Sequence, residues 1–223
     1  MTRGVRKRLD TSRDIPEALI RECVAVALQA PAGSNVSRAR FVVVRERERK
    51  RAVANIYREI YEQTYVDSPG YIGRVTLDDP DAQAQQDRTA RSADALPGKL
   101  AGVPAIVIAC LAGGRVDGAS AVYAASFLGG VLPAMWSFML AARARGLGTC
   151  WTTMHLARER EVAELLGIPY DTVQQVCLSP LAYTIGTSFK PGRRPPAEDA
   201  IHWDGWQPNK PLPPPIQRVL NSG

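Results

Sequence analysis

The sequence lacks the motifs that most often mark a nucleotide or metal site. It contains no P-loop, and no G-x-G-x-x-G motif follows a predicted strand, so the two commonest devices for holding nucleotide phosphates are missing. Its four cysteines stand singly in apolar stretches, with no C-x-x-C pair and no cysteine and histidine spacing. This pattern argues against a metal site and against a redox dithiol. We expect four buried free thiols: Cys23, Cys110, Cys150 and Cys177.

Histidine and long apolar runs are scarce as well. Neither His155 nor His202 lies in a nucleophile-elbow context, so no Ser/His/acid triad can be assembled, and we expect both to be structural. The N-terminus opens with charged residues instead of an apolar signal core, and glycines and a proline interrupt the most apolar stretch, 119–142. We therefore expect a cytoplasmic protein without a membrane span.

The composition is that of one packed domain. The chain has 223 residues, of which 45% are hydrophobic and 22% charged, values that are ordinary for a globular protein. The net charge of +6 is concentrated in two clusters, 3–8 and 190–194. Two local clusters suit a phosphate group better than a nucleic-acid duplex, so we expect an anionic small molecule and no nucleic-acid partner.

Hydrophobic periodicity predicts alternating helices and strands. This order indicates an α+β or α/β layered domain with helices on both faces of a modest sheet. The segment 67–98 has few apolar residues and is interpreted as a surface excursion, a lid or a partly mobile helix, and the proline-rich tail 207–223 as either a loose tail or an arm around a partner subunit. Helices are predicted at 16–30, 46–65, 119–145 and 158–166, and strands at 40–45, 103–111, within 146–153 and at 173–185. Because the helix 119–145 is apolar all round, we expect it to be central and buried.

Three segments carry groups that suit phosphate recognition: the basic N-terminus, the Pro31–Asn35 turn and the basic run 190–194. Guanidinium forks and small polar or backbone donors together recognise phosphates. Each segment alone is equally typical of a surface loop, so the pattern by itself leaves the joint site open.

Five motifs in order resemble the nitroreductase family of flavoproteins. The resemblance covers the chain except for about 67–98 and the tail. The matching stretches are Arg3 to Asp10, similar to the family's Arg-Ser-x-Arg opening, Ala30 to Asn35, Arg145 to His155, Leu166 to Pro169, and Phe189 to Pro195 with Ile201 to Asp204 after it.

The resemblance implies a homodimeric nitroreductase-like α+β fold, with a central mixed or antiparallel sheet flanked by helices in a domain spanning 1–206. It implies FMN bound at the subunit interface and hydride passing from NADH or NADPH to a small electron-poor acceptor, such as a nitroaromatic or a quinone, in a ping-pong cycle. The flavin carries the redox chemistry, so no side chain is expected to be catalytic and no metal is expected. The implied cofactor-binding residues are Arg3, Gly4, Arg6, Pro31, Ala32, Ser34, Asn35, Trp151, Thr152, Thr153, Met154, Arg193 and Arg194.

The resemblance also implies which part of the flavin each of these residues would contact. Arg3 and Arg6 would contact the phosphate, the ribityl chain or the pyrimidine edge, and Arg193 and Arg194 would complete the phosphate site. The Pro31–Asn35 turn would approach from the other subunit. Residues 152–154 would lie along the reactive side of the ring, largely through backbone groups. Trp151 would lie near the flavin or belong to the core.

Two departures from the family pattern leave the activity open. Gly4 stands where serine is usual, and the segment after Asn35, Val36 to Ala39, lacks the amide and the large aromatic of the usual pattern. One alternative is therefore a specialised flavoprotein of the same fold, such as a reductive dehalogenase, a flavin-fragmenting enzyme or a deazaflavin-linked enzyme. The other alternative is a flavin-binding carrier without catalysis.

Overall fold

The computed structural model describes residues 4–192 and 194–213. Helices and strands alternate along this part of the chain, as the periodicity predicts, with bounds that differ from the expected ones by a few residues. The elements are β1 (Leu9–Asp10), α1 (Glu17–Ala27), β2 (Ala39–Val44), α2 (Arg47–Ile60), α3 (Pro80–Ala93), α4 (Leu96–Leu100), β3 (Ala105–Ala112), α5 (Ala121–Ala144), β4 (Leu147–Thr149), α6 (Glu159–Leu166), β5 (Val173–Thr184) and α7 (Ala197–Ala200).

The strands form one sheet in the order β1-β5-β3-β2, with β4 also pairing with β5. Every ladder in it is antiparallel, so the α+β class is confirmed and the sheet is of the antiparallel kind. The long β5 pairs with β1, β3 and β4, and it therefore brings the beginning, the middle and the end of the chain together. In a single chain β2 forms one edge of the sheet.

Two hydrophobic cores lie on the two faces of the sheet. Along β3, Ile106 and Ile108 belong to the first core, whereas Val107 and Ala109 belong to the second, because successive side chains of a strand point to opposite faces. Residues of α2, α4 and α6 cover the first face, and residues of α1 and α5 cover the second. The strand is therefore buried on both sides, which accounts for its nearly continuous apolar sequence.

The expectation of a wholly buried α5 is wrong for the single chain. Its second half is in the core, with Val131, Met135 and Phe138 fully buried, but Val122 is 78% exposed and Trp136 48% exposed. By length and composition the helix could cross a membrane, although only a third of its most apolar 18-residue stretch is buried in this chain. Its apolar character all round therefore reflects one face in the core and another that this chain does not cover.

The segment 67–98 is more ordered than the sequence suggests. It contains α3, which begins at Pro80 after Asp79, whose carboxylate accepts hydrogen bonds from the backbone of Asp81 and Ala82. It also contains most of α4, where Leu96 is buried in the first core. Serine and aspartate caps of this kind satisfy the free amides of a helix start. The excursion is thus tied to the domain at its C-terminal end.

The predicted environments of the rare residues are confirmed. All four cysteines are buried free thiols. His155 is fully buried, and His202 accepts a hydrogen bond from the backbone N–H of Gln207 and stacks on Trp206, with 4.1 Å between ring centroids. The part of the tail beyond residue 213 lies outside the described residues.

Candidate functional site

The N-terminal segment joins the sheet next to β4. Gly4 forms a bridge with Thr149, and the N–H of Val5 donates to the Thr149 carbonyl oxygen at 2.8 Å. Val5 is buried in the first core and thereby fixes the segment, while Gly4 on one side of it is exposed and Arg6 on the other is half-buried. The segment therefore presents backbone and a guanidinium beside the strand that leads to Trp151.

Arg6 lies at the centre of a small polar cluster. A Cβ built on Gly4 would lie 3.5 Å from a guanidinium nitrogen of Arg6 and 3.5 Å from Sγ of Cys150. Burial raises the pKa of the Cys150 thiol, and the Arg6 charge and its hydrogen bond to the sulfur act in the opposite direction. A buried thiol of raised pKa is a poor nucleophile, so the cation of Arg6 is the group this cluster offers to an anionic ligand.

Thr152 lies on the far side of this cluster. Its backbone N–H donates to Leu178 at 2.9 Å, and its carbonyl accepts from the Leu178 N–H at 2.8 Å. These bonds use both backbone groups of Thr152 within the sheet, so a contact from Thr152 to a ligand would come from its side chain. Its hydroxyl remains, 3.1 Å from the Tyr57 hydroxyl.

The neighbours of Thr152 differ in exposure. Trp151 is half-buried against the second core and Met154 is half-buried against the first. Thr153 is exposed and precedes the 3-10 turn Met154–Arg158. The chain therefore crosses from one face of the sheet to the other between Trp151 and Met154, and it exposes Thr153 at the crossing.

The Pro31–Asn35 turn lies elsewhere, against α5. Ser34 and Asn35 both adopt left-handed backbone, with φ of 54° and 56°, which non-glycine residues rarely do and which is concentrated at functional positions. A Cβ built on Gly33 would lie 3.8 Å from the Ser126 carbonyl oxygen, and one built on Gly130 would lie 3.8 Å from Cα of Ala32. The turn thus belongs to the face of α1 and α5, whereas Arg6 and Thr152 adjoin Tyr57 of α2.

The basic C-terminal run is anchored by Arg8. Its guanidinium donates to the carbonyl oxygens of Ile185 at 2.6 Å and Ser188 at 2.7 Å. Phe189 lies between two guanidiniums, 4.1 Å from that of Arg8 and 4.3 Å from that of Arg143. Arg194 is exposed beyond Gly192, and Arg3 and Arg193 lie outside the described residues.

Two positioning residues, Arg8 and Tyr57, are absent from the site predicted from sequence. Arg8 belongs to the basic N-terminal cluster, but nothing in the sequence indicates that it anchors the segment after β5, 177 residues away. Tyr57 is separated from Thr152 by 95 residues and sits in a charged helix without any motif. Only the pairing of distant strands brings these residues together.

A groove of about 840 Å³ lies between α1 and β2. Its walls include Val24 and Leu28 of α1 and the edge strand β2 from Ala39 to Val44. None of the predicted cofactor-binding residues that the structure describes lines this groove. The groove and the candidate site are therefore separate. Among the described residues, no group of three or more histidine, cysteine or acidic side chains could hold a metal ion.

One protein-family model matches most of the chain. The family model described as "Nitroreductase family" matches residues 2–185. No curated protein matches the chain.

Solved structures share the fold at low sequence identity. Iodotyrosine deiodinase bound to FMN and 3-iodo-L-tyrosine has a TM-score of 0.67 and 17% identity, over 92% of this chain and 96% of that one. A BluB-like flavoprotein from Clostridium difficile 630 has a TM-score of 0.64 and 16% identity, over 91% and 95%. NfrA2 from B. megaterium has a TM-score of 0.59 and 19% identity, over 93% and 72%.

Proposed function

The chain belongs to the nitroreductase family, and on that premise we propose that it is an FMN-dependent oxidoreductase. It takes hydride from NADH or NADPH and passes it through the bound flavin to a small electron-poor acceptor, such as a nitroaromatic or a quinone. The observation that carries the proposal is the cluster of Arg6, Thr152 and Tyr57, which the N-terminal segment and β4 assemble at one end of the sheet.

The residues present fit FMN by their chemistry. Arg6 and Arg194 supply guanidiniums, which recognise phosphates and carbonyl oxygens through several parallel donors. Gly4 is exposed and has no side chain to block a ligand, since a Cβ there would meet only Arg6 and Cys150 at 3.5 Å. Thr152 adds a hydroxyl, and Trp151 and Met154 add apolar surface. Arg3 and Arg193 would extend the cationic set.

The proposed site is composite, formed by two subunits of a homodimer. In one chain the Pro31–Asn35 turn packs on α5, on the face opposite the α2 side where Thr152 meets Tyr57. The exposed apolar face of α5 next to this turn gives the surface on which a second copy would pack, as larger apolar patches do in oligomers. A two-fold dimer then brings the turn of each subunit to the Arg6 cluster of the other.

In the proposed mechanism the flavin supplies the hydride chemistry and the chain supplies position and charge. Arg6 would offset the negative charge that the cofactor gains on reduction, because a fixed cation near developing charge stabilises it. The anchored segment after β5 would present Arg194 to the phosphate. Donor and acceptor would use the same open side of the ring in turn, so no separate dinucleotide motif is required.

A second candidate is a specialised flavoprotein of the same fold, such as a reductive dehalogenase. The segment Val36 to Ala39 lacks the family's amide and large aromatic, and the ordered excursion 67–98 lies beyond α2, which carries Tyr57. Acceptor profiling with nitroaromatics, quinones and halogenated phenols under anaerobic conditions distinguishes this candidate from the first.

The visible spectrum of the purified chain tests the proposal. We expect flavin absorption, either as purified or after incubation with FMN, and bleaching on anaerobic addition of NADH or NADPH. Protein that never takes up FMN contradicts the whole proposal. Protein that stays yellow with both donors contradicts hydride transfer and favours a flavin carrier.

A further inference from the structure

The hydroxyl of Tyr57, on α2, is directed at Thr152 of the candidate site. Tyr57 is only 3% exposed, and its hydroxyl lies 3.1 Å from Oγ1 of Thr152. A buried hydroxyl needs a hydrogen-bond partner. Within the described residues, the Thr152 hydroxyl is the partner that the structure gives to this group.

Either hydroxyl of this pair can be the donor, and donation by Tyr57 is the arrangement that frees the Thr152 hydrogen for a ligand. Burial raises the pKa of Tyr57 to about 12, so the phenol keeps its proton at neutral pH and can donate it. Thr152 Oγ1 is the acceptor that the structure gives to that proton, and Thr152 itself is partly exposed. When Tyr57 donates to Thr152, the hydroxyl hydrogen of Thr152 is left to point outward, because each hydroxyl carries a single donor.

The ring of Tyr57 is held in place by a stack of tyrosines. Tyr57 stacks on Tyr61 with 6.2 Å between centroids and a 17° angle, and Tyr61 packs on Tyr65 at 5.1 Å. The hydroxyls of Tyr61 and Tyr71 both donate to the same carboxylate oxygen of Asp94, each at 2.8 Å. The excursion 67–98 thus fixes the far end of the stack whose near end contacts Thr152.

We propose that Tyr57 is a positioning residue that orients the Thr152 hydroxyl as a hydrogen-bond donor to the bound flavin. The inference rests on the proposed function, since it supposes that FMN occupies the cluster of Arg6 and Thr152. It adds that Thr152 serves through its side chain, because its backbone N–H is bonded to Leu178. It also gives the excursion a role, that of holding the tyrosine stack against the site.

A double-mutant cycle on the full-length apoprotein, titrated with FMN and followed by quenching of flavin fluorescence, tests the proposal. Tyr57→Phe and Thr152→Val each remove one hydroxyl, and we expect each to raise the Kd of FMN about tenfold, the effect of one lost hydrogen bond. Because Tyr57 acts through Thr152, the double variant binds FMN no more weakly than Thr152→Val alone. Thr152→Ser keeps the hydroxyl and binds within about twofold of the unchanged protein.

Tyr170→Phe is the matched control, because it removes a phenol hydroxyl from a ring that packs against the guanidiniums of Arg115 and Arg160 instead of contacting Thr152. We expect its FMN affinity and flavin spectrum to stay near those of the unchanged protein, while Tyr57→Phe shifts the flavin absorption bands. Additive losses in the double variant, or equal affinities of Thr152→Val and Thr152→Ser, overturn the proposal. If the unchanged protein binds no FMN, the proposed function fails and this inference fails with it, whereas unchanged binding in Tyr57→Phe overturns the inference alone.

Discussion

At the residue scale, His155 is the least satisfied polar group of the interior. The side chain is completely buried, and neither Nδ1 nor Nε2 has a hydrogen-bond partner in the described part of the chain. Burial lowers the pKa of His155 from 6.5 to about 3. The imidazole is therefore neutral in the folded protein at every pH at which the protein would be handled.

This histidine predicts acid sensitivity. Between pH 6.5 and about 3 the unfolded chain binds a proton that the folded chain excludes, so the free energy of unfolding falls as pH falls. We expect a loss of about 2 kcal/mol between pH 8 and pH 5 from this residue, at about 1.4 kcal/mol per pH unit. Denaturant unfolding at several pH values measures it.

His155→Leu should remove most of that slope and leave the protein at least as stable at neutral pH. His202→Gln is the control, since His202 is the other histidine of the chain and already has partners. A slope that persists in His155→Leu would show that other groups control the acid sensitivity.

A second prediction at this scale concerns Arg194. In the proposed site, replacing it by alanine would remove a charge-assisted contact to the FMN phosphate, worth about 1.5–3 kcal/mol, so we expect FMN to bind tenfold or more weakly. The thermal midpoint should hardly change, because Arg194 is exposed. Arg21→Ala removes the same charge from the exposed face of α1 and should leave FMN affinity unaltered. Equal affinities of the two variants would remove Arg194 from the phosphate site.

At the element scale, a buried ion pair fixes the start of α6. The guanidinium of Arg115, in the loop after β3, donates to both carboxylate oxygens of Glu159 at 2.6 and 3.2 Å, and the side chains are only 16% and 11% exposed. Glu159 also accepts from the N–H of Gln175 on β5 at 2.8 Å. The hydrogen bond to Glu159 raises the pKa of Arg115, and the pair joins the loop after β3, α6 and β5.

Arg115→Met should therefore cost about 3 kcal/mol of unfolding free energy, because it leaves the largely buried Glu159 carboxylate without its charged partner. Arg51→Met breaks the pair with Glu48, whose side chains are both 62% exposed, and should cost less than about 1 kcal/mol. Urea unfolding of both variants at neutral pH measures the difference. Similar costs would mean that Arg115 contributes no more than a surface pair.

The sequence predicts elements where periodicity is strong and fails where contacts decide. The apolar run 103–111 leaves little choice but a buried strand, and β3 is found there. The sequence pattern also predicts the long α5. It does not predict which face of the helix is exposed, because an exposed apolar face and a core face carry the same kinds of residue. In 67–98, α3 depends on the Asp79 cap and on Leu96 packing into a core that only the fold assembles.

At the scale of the whole molecule, the exposed face of α5 predicts a dimer. Trp136 is 48% exposed, Leu140 44% and Leu132 38%, all on this helix. Trp136→Glu places a charge in that face, so we expect sedimentation to show a monomer where the unchanged protein is a dimer. FMN binding should fall with it, since the Pro31–Asn35 turn would leave the site of its neighbour.

Trp203→Glu is the control for this prediction. Trp203 is 72% exposed and follows α7 instead of belonging to α5, and its replacement should preserve both the dimer and FMN binding. A Trp136→Glu protein that remains dimeric and still binds FMN would contradict the composite site.

The candidate site is only partly predictable from sequence, because contacts between residues far apart in the chain complete it. The motifs predict Gly4, Arg6 and Thr152 as site residues, and the fold brings these three to one end of the sheet. They do not predict Tyr57 or Arg8, whose hydrogen-bond partners lie 95 and 177 residues away. The motifs cover the expected ligand contacts, whereas the residues packed behind those contacts are selected by the pairing of distant strands.

The pairing of β1 with β5 also affects when the candidate site can form during synthesis of the chain. Leu9 pairs with Thr184 and Asp10 with Tyr183, so the segment carrying Gly4 and Arg6 has no sheet to join until β5 has left the ribosome. Chains fold from the N-terminus as they emerge, and contacts this far apart in sequence form late. The segment carrying Gly4 and Arg6 is therefore among the last to be placed, and a chain released before β5 would hold the first four motifs without forming the site.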